Sequence, residues 1–109
     1  MKFSGAWLIT EMEMWDAEYF NMEVQAYLRI GDNGIGSFQF GLVSAGLDGE
    51  VVKSGKLERF EFTWEGLDEL EPISGSGWLK LSRPDQVKGK LKIHLGDSST
   101  FSAVREKGE

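Results

Sequence analysis

The amino-acid sequence predicts an all-β chain, folded as a small up-and-down antiparallel β-barrel of seven or eight strands over residues 1–109 as one domain. Three observations lead there. The 109 residues hold 14 glycines and only 2 prolines, the apolar residues fall in short alternating runs, and Gly, Asn, Asp and Ser gather between those runs as turn formers do. A chain of this length builds one core with little to spare for a second layer. Short strands with a single apolar face must hide that face and their own edges, and closing the sheet into a barrel does both.

The first strand runs from about Ala6 to Glu13, within a stretch rich in tryptophan and carboxylate. Trp7, Ile9 and Glu11 share one face if the pleat is regular, because successive side chains in a strand point to opposite sides. A polar link with helical character follows over residues 16–21. The second strand, 24–30, keeps Val24, Ala26, Leu28 and Ile30 in phase. Asn33-Gly34 then predicts a tight hairpin into the third strand, 36–43, where Phe38, Phe40 and Leu42 alternate with Ser37, Gln39 and Gly41. The fourth strand, 46–53, is interrupted by Gly46 and Gly49, and either stands alone or continues the third as a bend.

Ser54-Gly55 turns the chain into the fifth strand, 57–65, with Phe60, Phe62 and Trp64 on one face. An acidic loop over 66–72 leads to the sixth, 75–82, where Gly77, Leu79 and Leu81 point inward and Trp78 and Lys80 outward. A bulge at Gly75-Ser76-Gly77 would reverse that phase. Arg83-Pro84-Asp85 turns into the seventh strand, 87–95, with Gly89, Leu91, Ile93 and Leu95 opposite Lys88, Lys90, Lys92 and His94. Gly96-Asp97-Ser98 leads to the eighth, 100–105, and residues 106–109 are expected to fray. An eight-stranded barrel is just wide enough to be filled by side chains or to hold one small ligand. The predicted inward set is large: Trp7, Ile9, Leu28, Ile30, Phe38, Phe40, Leu42, Phe60, Phe62, Trp64, Leu79, Leu81, Leu91, Ile93, Leu95 and Phe101.

Composition removes several kinds of chemistry. With no cysteine and one histidine, disulfides, thiolate zinc, iron–sulfur ligation, thiol catalysis and histidine-cluster metal sites are excluded within the chain, so neither a metal nor a cofactor is expected. The net charge of −6 repels phosphate backbones and anionic lipid, which argues against nucleic-acid and membrane partners. No window approaches the roughly 18 apolar residues of a membrane span, and Met1-Lys2-Phe3-Ser4 does not open an apolar leader, so a soluble, cytoplasmic protein is expected.

Gly5-Ala6-Trp7 on the first strand, with Arg105 in phase with Phe101 and Ala103 on the last, resembles the lipocalin and calycin signature. The resemblance implies a barrel closed at one end by the tryptophan, with the arginine packed across its ring. A second likeness, along most of the chain, is to a group of short, uncharacterised bacterial proteins. It rests on Met12-Glu13-Met14-Trp15-Asp16, Gly36-Ser37-Phe38-Gln39-Phe40-Gly41, the run from Phe62 to Glu69, Ser74-Gly75-Ser76-Gly77-Trp78 and the run from His94 to Ala103. It implies kinship and no activity.

Four constellations carry candidate chemistry. Glu11, on the Trp7–Ile9 face, either enters the barrel, where a carboxylate orients a polar ligand or acts as an acid or base, or is turned outward by a bulge. Trp15 and Trp78 are the tryptophans left to form an aromatic platform, since Trp64 and Glu65 face opposite ways. His94 with Asp97 and the hydroxyls of Ser98, Ser99 and Thr100 has the residue types of a hydrolytic triad, but lies on the lysine face and lacks a nucleophile elbow. Asp68, Glu69 and Glu71 lack the alternating ligand spacing of a calcium loop. The expectation is a non-enzymatic barrel with no catalytic or metal residues, which binds a small apolar molecule at its open end through Glu11, Tyr27, Arg29 and Trp78. The alternative is a protein-interaction or homodimerisation module that uses Trp15, Tyr27 and Trp78 on the barrel exterior.

Overall fold

Eight antiparallel strands follow one another around a closed barrel in the computed structural model, which describes residues 1–107. They are β1 (Gly5–Met12), β2 (Tyr27–Ile30), β3 (Ile35–Phe40), β4 (Val43–Ser54), β5 (Leu57–Asp68), β6 (Glu71–Arg83), β7 (Gln86–Ile93) and β8 (Ser98–Arg105). Each pairs with its sequence neighbour, and β8 returns to pair with β1, so every strand has a partner on both sides over part of its length. This is the lipocalin and calycin barrel architecture. Among the described residues the one helical turn, α1 (Ala17–Phe20), lies in the β1–β2 connection, where the Asp16 carboxylate accepts the Tyr19 N–H as an N-cap.

The predicted hairpin at Asn33-Gly34 is present, with Gly34 at φ 84° and the Asn33 side chain accepting the Ile35 N–H. Strands three and four are separate, joined through Gly41 at φ 55° and Leu42. That two-residue turn resets the inward phase: Val43, Ala45 and Leu47 are buried and Leu42 is only half-buried. The acidic loop expected over 66–72 is mostly strand, because β5 and β6 stay paired as far as Asp68 and Glu71 and only Glu69-Leu70 turn. Pro72 is tolerated there because β6 is flanked by β5 alone until Gly75 meets Ile93.

One residue of the predicted inward set lies outside: Leu95 sits in a turn at φ 62° and is 93% exposed. Val24, expected within the second strand, precedes β2, which begins only at Tyr27. The predicted core is otherwise buried or half-buried, and it is enlarged by Phe3, Met12, Phe20, Val87 and Ala103. Four inward glycines explain how so many rings fit. A Cβ on Gly77 would stand 2.7 Å from Phe62, on Gly75 2.7 Å from Trp64, on Gly49 2.8 Å from Phe60, and on Gly89 2.9 Å from Phe101. Small residues opposite large ones fill the barrel's interior. The predicted fraying of the tail includes Gly108 and Glu109, which lie outside the described residues.

Both barrel ends are covered. At the lower end Phe3 is buried against Phe60, and the Trp7 indole N–H donates to the Phe3 carbonyl at 2.9 Å. The Arg105 guanidinium lies 4.2 Å from the Trp7 ring centroid and donates to the carbonyls of Ser4 and Lys2 at 2.9 and 3.2 Å, the arrangement the lipocalin signature implies. At the upper end the connection 13–26 folds over the core. Phe20 is buried, and Trp15 packs on Phe40 with ring centroids 5.1 Å apart. The Met14 N–H donates to the hydroxyl of the fully buried Ser99, and the Gly41 N–H to the Phe20 carbonyl.

Candidate functional site: the outer groove of β4–β7

On the outer face of β6 the sequence alternates Ser74, Ser76, Trp78 and Lys80, and no register shift interrupts β6 before Leu81, so Trp78 points outward. Small outward residues here, Gly46 on β4, Thr63 on β5 and Ser74 and Ser76 on β6, leave a trough between longer neighbours. Two adjoining depressions occupy it, with volumes of about 840 and 740 Å³, and share Asp48, Thr63, Ser76 and Lys92.

Cross-strand register sets the chemistry of the trough. One rung runs Glu50–Glu61–Trp78–Lys90 and the next Asp48–Thr63–Ser76–Lys92. Acid therefore lines the β4–β5 side and lysine the β7 side, with hydroxyls and an indole between. The β4 and β7 walls are three strand spacings apart, roughly 14 Å along the sheet. Arg59 fixes the centre: its guanidinium lies 4.7 Å from the Trp78 ring centroid and donates to Glu61 at 2.6 Å. Trp78 remains half-buried.

The four residues singled out in the sequence do not meet. Glu11 is exposed on the outside, because a bulge between Ile9 and Glu11 places two residues opposite one step of β8 and hands the inward position to Met12. Tyr27 and Arg29 share the outer face of β2, with the guanidinium 4.4 Å from the Tyr27 ring centroid. In the strand order β2 and β6 are four steps apart in either direction, so this pair lies across the barrel from Trp78. Only Trp78 lines the trough. The residues that join it there, Arg59, Glu61, Thr63, Ser76, Lys90 and Lys92, become neighbours through register, which alternation along a single strand does not reveal.

The other constellations stay apart. His94 is exposed, and no hydrogen bond joins its imidazole to Asp97 or to the three hydroxyls among the described residues; Ser99 donates instead to the Thr100 carbonyl. Asp68, Glu69 and Glu71 form no metal-holding group among the described residues. Below the trough, Glu58 lies 2.8 Å from the Lys2 ammonium and 3.7 Å from that of Lys53. The hydrogen bond from Lys2 is the larger cause holding the Glu58 carboxyl below the ordinary glutamate range. No described helix is long and apolar enough to cross a membrane. No protein-family model, curated protein or solved structure matches the chain.

Proposed function

We propose that the protein is a non-enzymatic binding barrel that takes a small zwitterionic ligand, such as a short peptide, in the outer trough at Trp78. The observation that carries this reading is the rung Glu50–Glu61–Trp78–Lys90, which sets carboxylates on one side and a lysine on the other side of an indole held by Arg59. The barrel interior, by contrast, is occupied by the chain's own rings. Carboxylates on one wall suit an ammonium, lysines on the other suit a carboxylate, and Thr63 and Ser76 supply hydroxyls for the polar atoms between.

A second reading keeps the expected small apolar molecule at the upper end, in the place of Trp15. It is favoured by the way Trp15, half-buried at the rim, covers Phe40 and stacks on Tyr19 through ring contacts. Native mass spectrometry of the purified protein separates the two. Extra mass that is lost on denaturation and absent from Trp78→Ala supports the trough. Mass retained by Trp78→Ala but lost in Trp15→Ala supports the upper end. A clean dimer carrying no extra mass moves the weight to the interaction or homodimerisation reading.

A further inference from the structure

The antiparallel order brings the β5–β6 and β7–β8 turns to the same barrel end, and between them lies a shallow groove of about 750 Å³. Leu67, Pro72, Ile73, Ile93 and Leu95 line it. Leu95 is 93% exposed, and Leu70, in the β5–β6 turn, is 89% exposed. Of the nine large hydrophobic side chains exposed among the described residues, six stand at this end of the barrel: Met14, Met22, Val24, Leu67, Leu70 and Leu95. Leu95 also holds φ at 62°, a left-handed conformation that is uncommon for a bulky side chain. Large apolar side chains gathered at one end of a barrel, around a groove open to water, mark an interaction site.

Charge identifies the occupant. Residues 64–73 and 93–99 contain five carboxylates, Glu65, Asp68, Glu69, Glu71 and Asp97, and neither Lys nor Arg. Of the 12 Lys and Arg in the chain, none falls in the upper connection 13–26 either, which adds four more carboxylates. Such a surface repels anionic lipid and acidic proteins and attracts a partner that is both cationic and apolar. We infer that this end docks a cationic amphipathic segment of a partner protein, leucine-like side chains entering the groove while lysines or arginines meet the acidic rim. The inference concerns a face outside the Trp78 rungs and stands whether or not a small molecule binds there.

The test is calorimetric titration of the full-length protein with a synthetic peptide in which leucines and lysines segregate to opposite faces of a helix. A peptide of the same composition, scrambled to abolish the apolar face, is the control for general acidity. The amphipathic peptide binds, the scrambled one binds at least about tenfold more weakly, and Leu67→Ser/Leu95→Ser costs about tenfold. Glu69→Gln/Glu71→Gln weakens binding and flattens its salt dependence. Should the leucine pair disturb folding, Leu70→Ser at the solvent-exposed turn repeats the test. Equal binding of both peptides, undiminished binding to the leucine variants, or no binding would overturn the inference. So would sedimentation showing that copies of the chain self-associate through this face.

Discussion

Replacing Arg105 tests how the lower end of the barrel is held. The guanidinium makes two carbonyl hydrogen bonds of 3.2 Å or shorter and lies 4.2 Å from the Trp7 ring centroid. Hydrogen bonds from a charged donor contribute about 1.5–3 kcal/mol each where solvent is excluded, and the cation–π contact about 0.5–2 kcal/mol. Because Arg105 is half-exposed and water satisfies part of what is lost, Arg105→Ala is expected to cost about 2–4 kcal/mol in all. Arg105→Lys keeps the charge near Trp7 but cannot fork to Ser4 and Lys2, so it should recover about half of that. Guanidinium unfolding followed by tryptophan fluorescence measures both variants, and the midpoint should fall with the slope unchanged. A loss below about 0.5 kcal/mol in Arg105→Ala, the range of ordinary surface changes, would show that Arg105 does not hold the lower end.

Gly77→Ala should destabilise by about 1–3 kcal/mol on thermal unfolding, because the added methyl meets the Phe62 ring and the Lys90 carbonyl at 2.7 and 2.8 Å. Ser99→Ala leaves the Met14 N–H without its hydroxyl acceptor, costs about 1–2 kcal/mol, and should speed hydrogen exchange across residues 13–26 before it does so in β4–β6. Glu58 should titrate below the usual glutamate range by carboxyl NMR, and Lys2→Ala should raise it. A folded-state pKa below the unfolded one stabilises above the usual glutamate range, and that contribution disappears as pH falls through the folded value.

The barrel and its phases were legible where a local signal existed. Asn33-Gly34 set its hairpin, the alternation around Trp78 set its outward direction, and Gly5-Ala6-Trp7 with Arg105 set the closed end. The bulge at Thr10 had no such signal, since one extra residue in a strand changes no residue type, yet it moved Glu11 outside and Met12 inside. The phase reset at Gly41-Leu42 and the left-handed Leu95 were hidden for the same reason: turn geometry depends on the strands it must join. The trough was illegible for a different cause. Glu61, Trp78 and Lys90 are far apart along the chain and meet only through pairing register, which the inward glycines fix by admitting Phe62 and Trp64.

Ligand recognition on the outer trough is read from the four tryptophan indole signals in a 15N–1H NMR titration with a panel of free dipeptides. The indole N–H of Trp7 donates to the Phe3 carbonyl at the far end of the barrel and serves as the internal reference. On ligand addition the Trp78 indole and the Thr63 and Ser76 amides shift in a saturable way while Trp7 and Trp15 stay fixed. Shifts confined to Trp15 and its neighbours on the upper connection, with Trp78 unmoved, would contradict recognition on the trough.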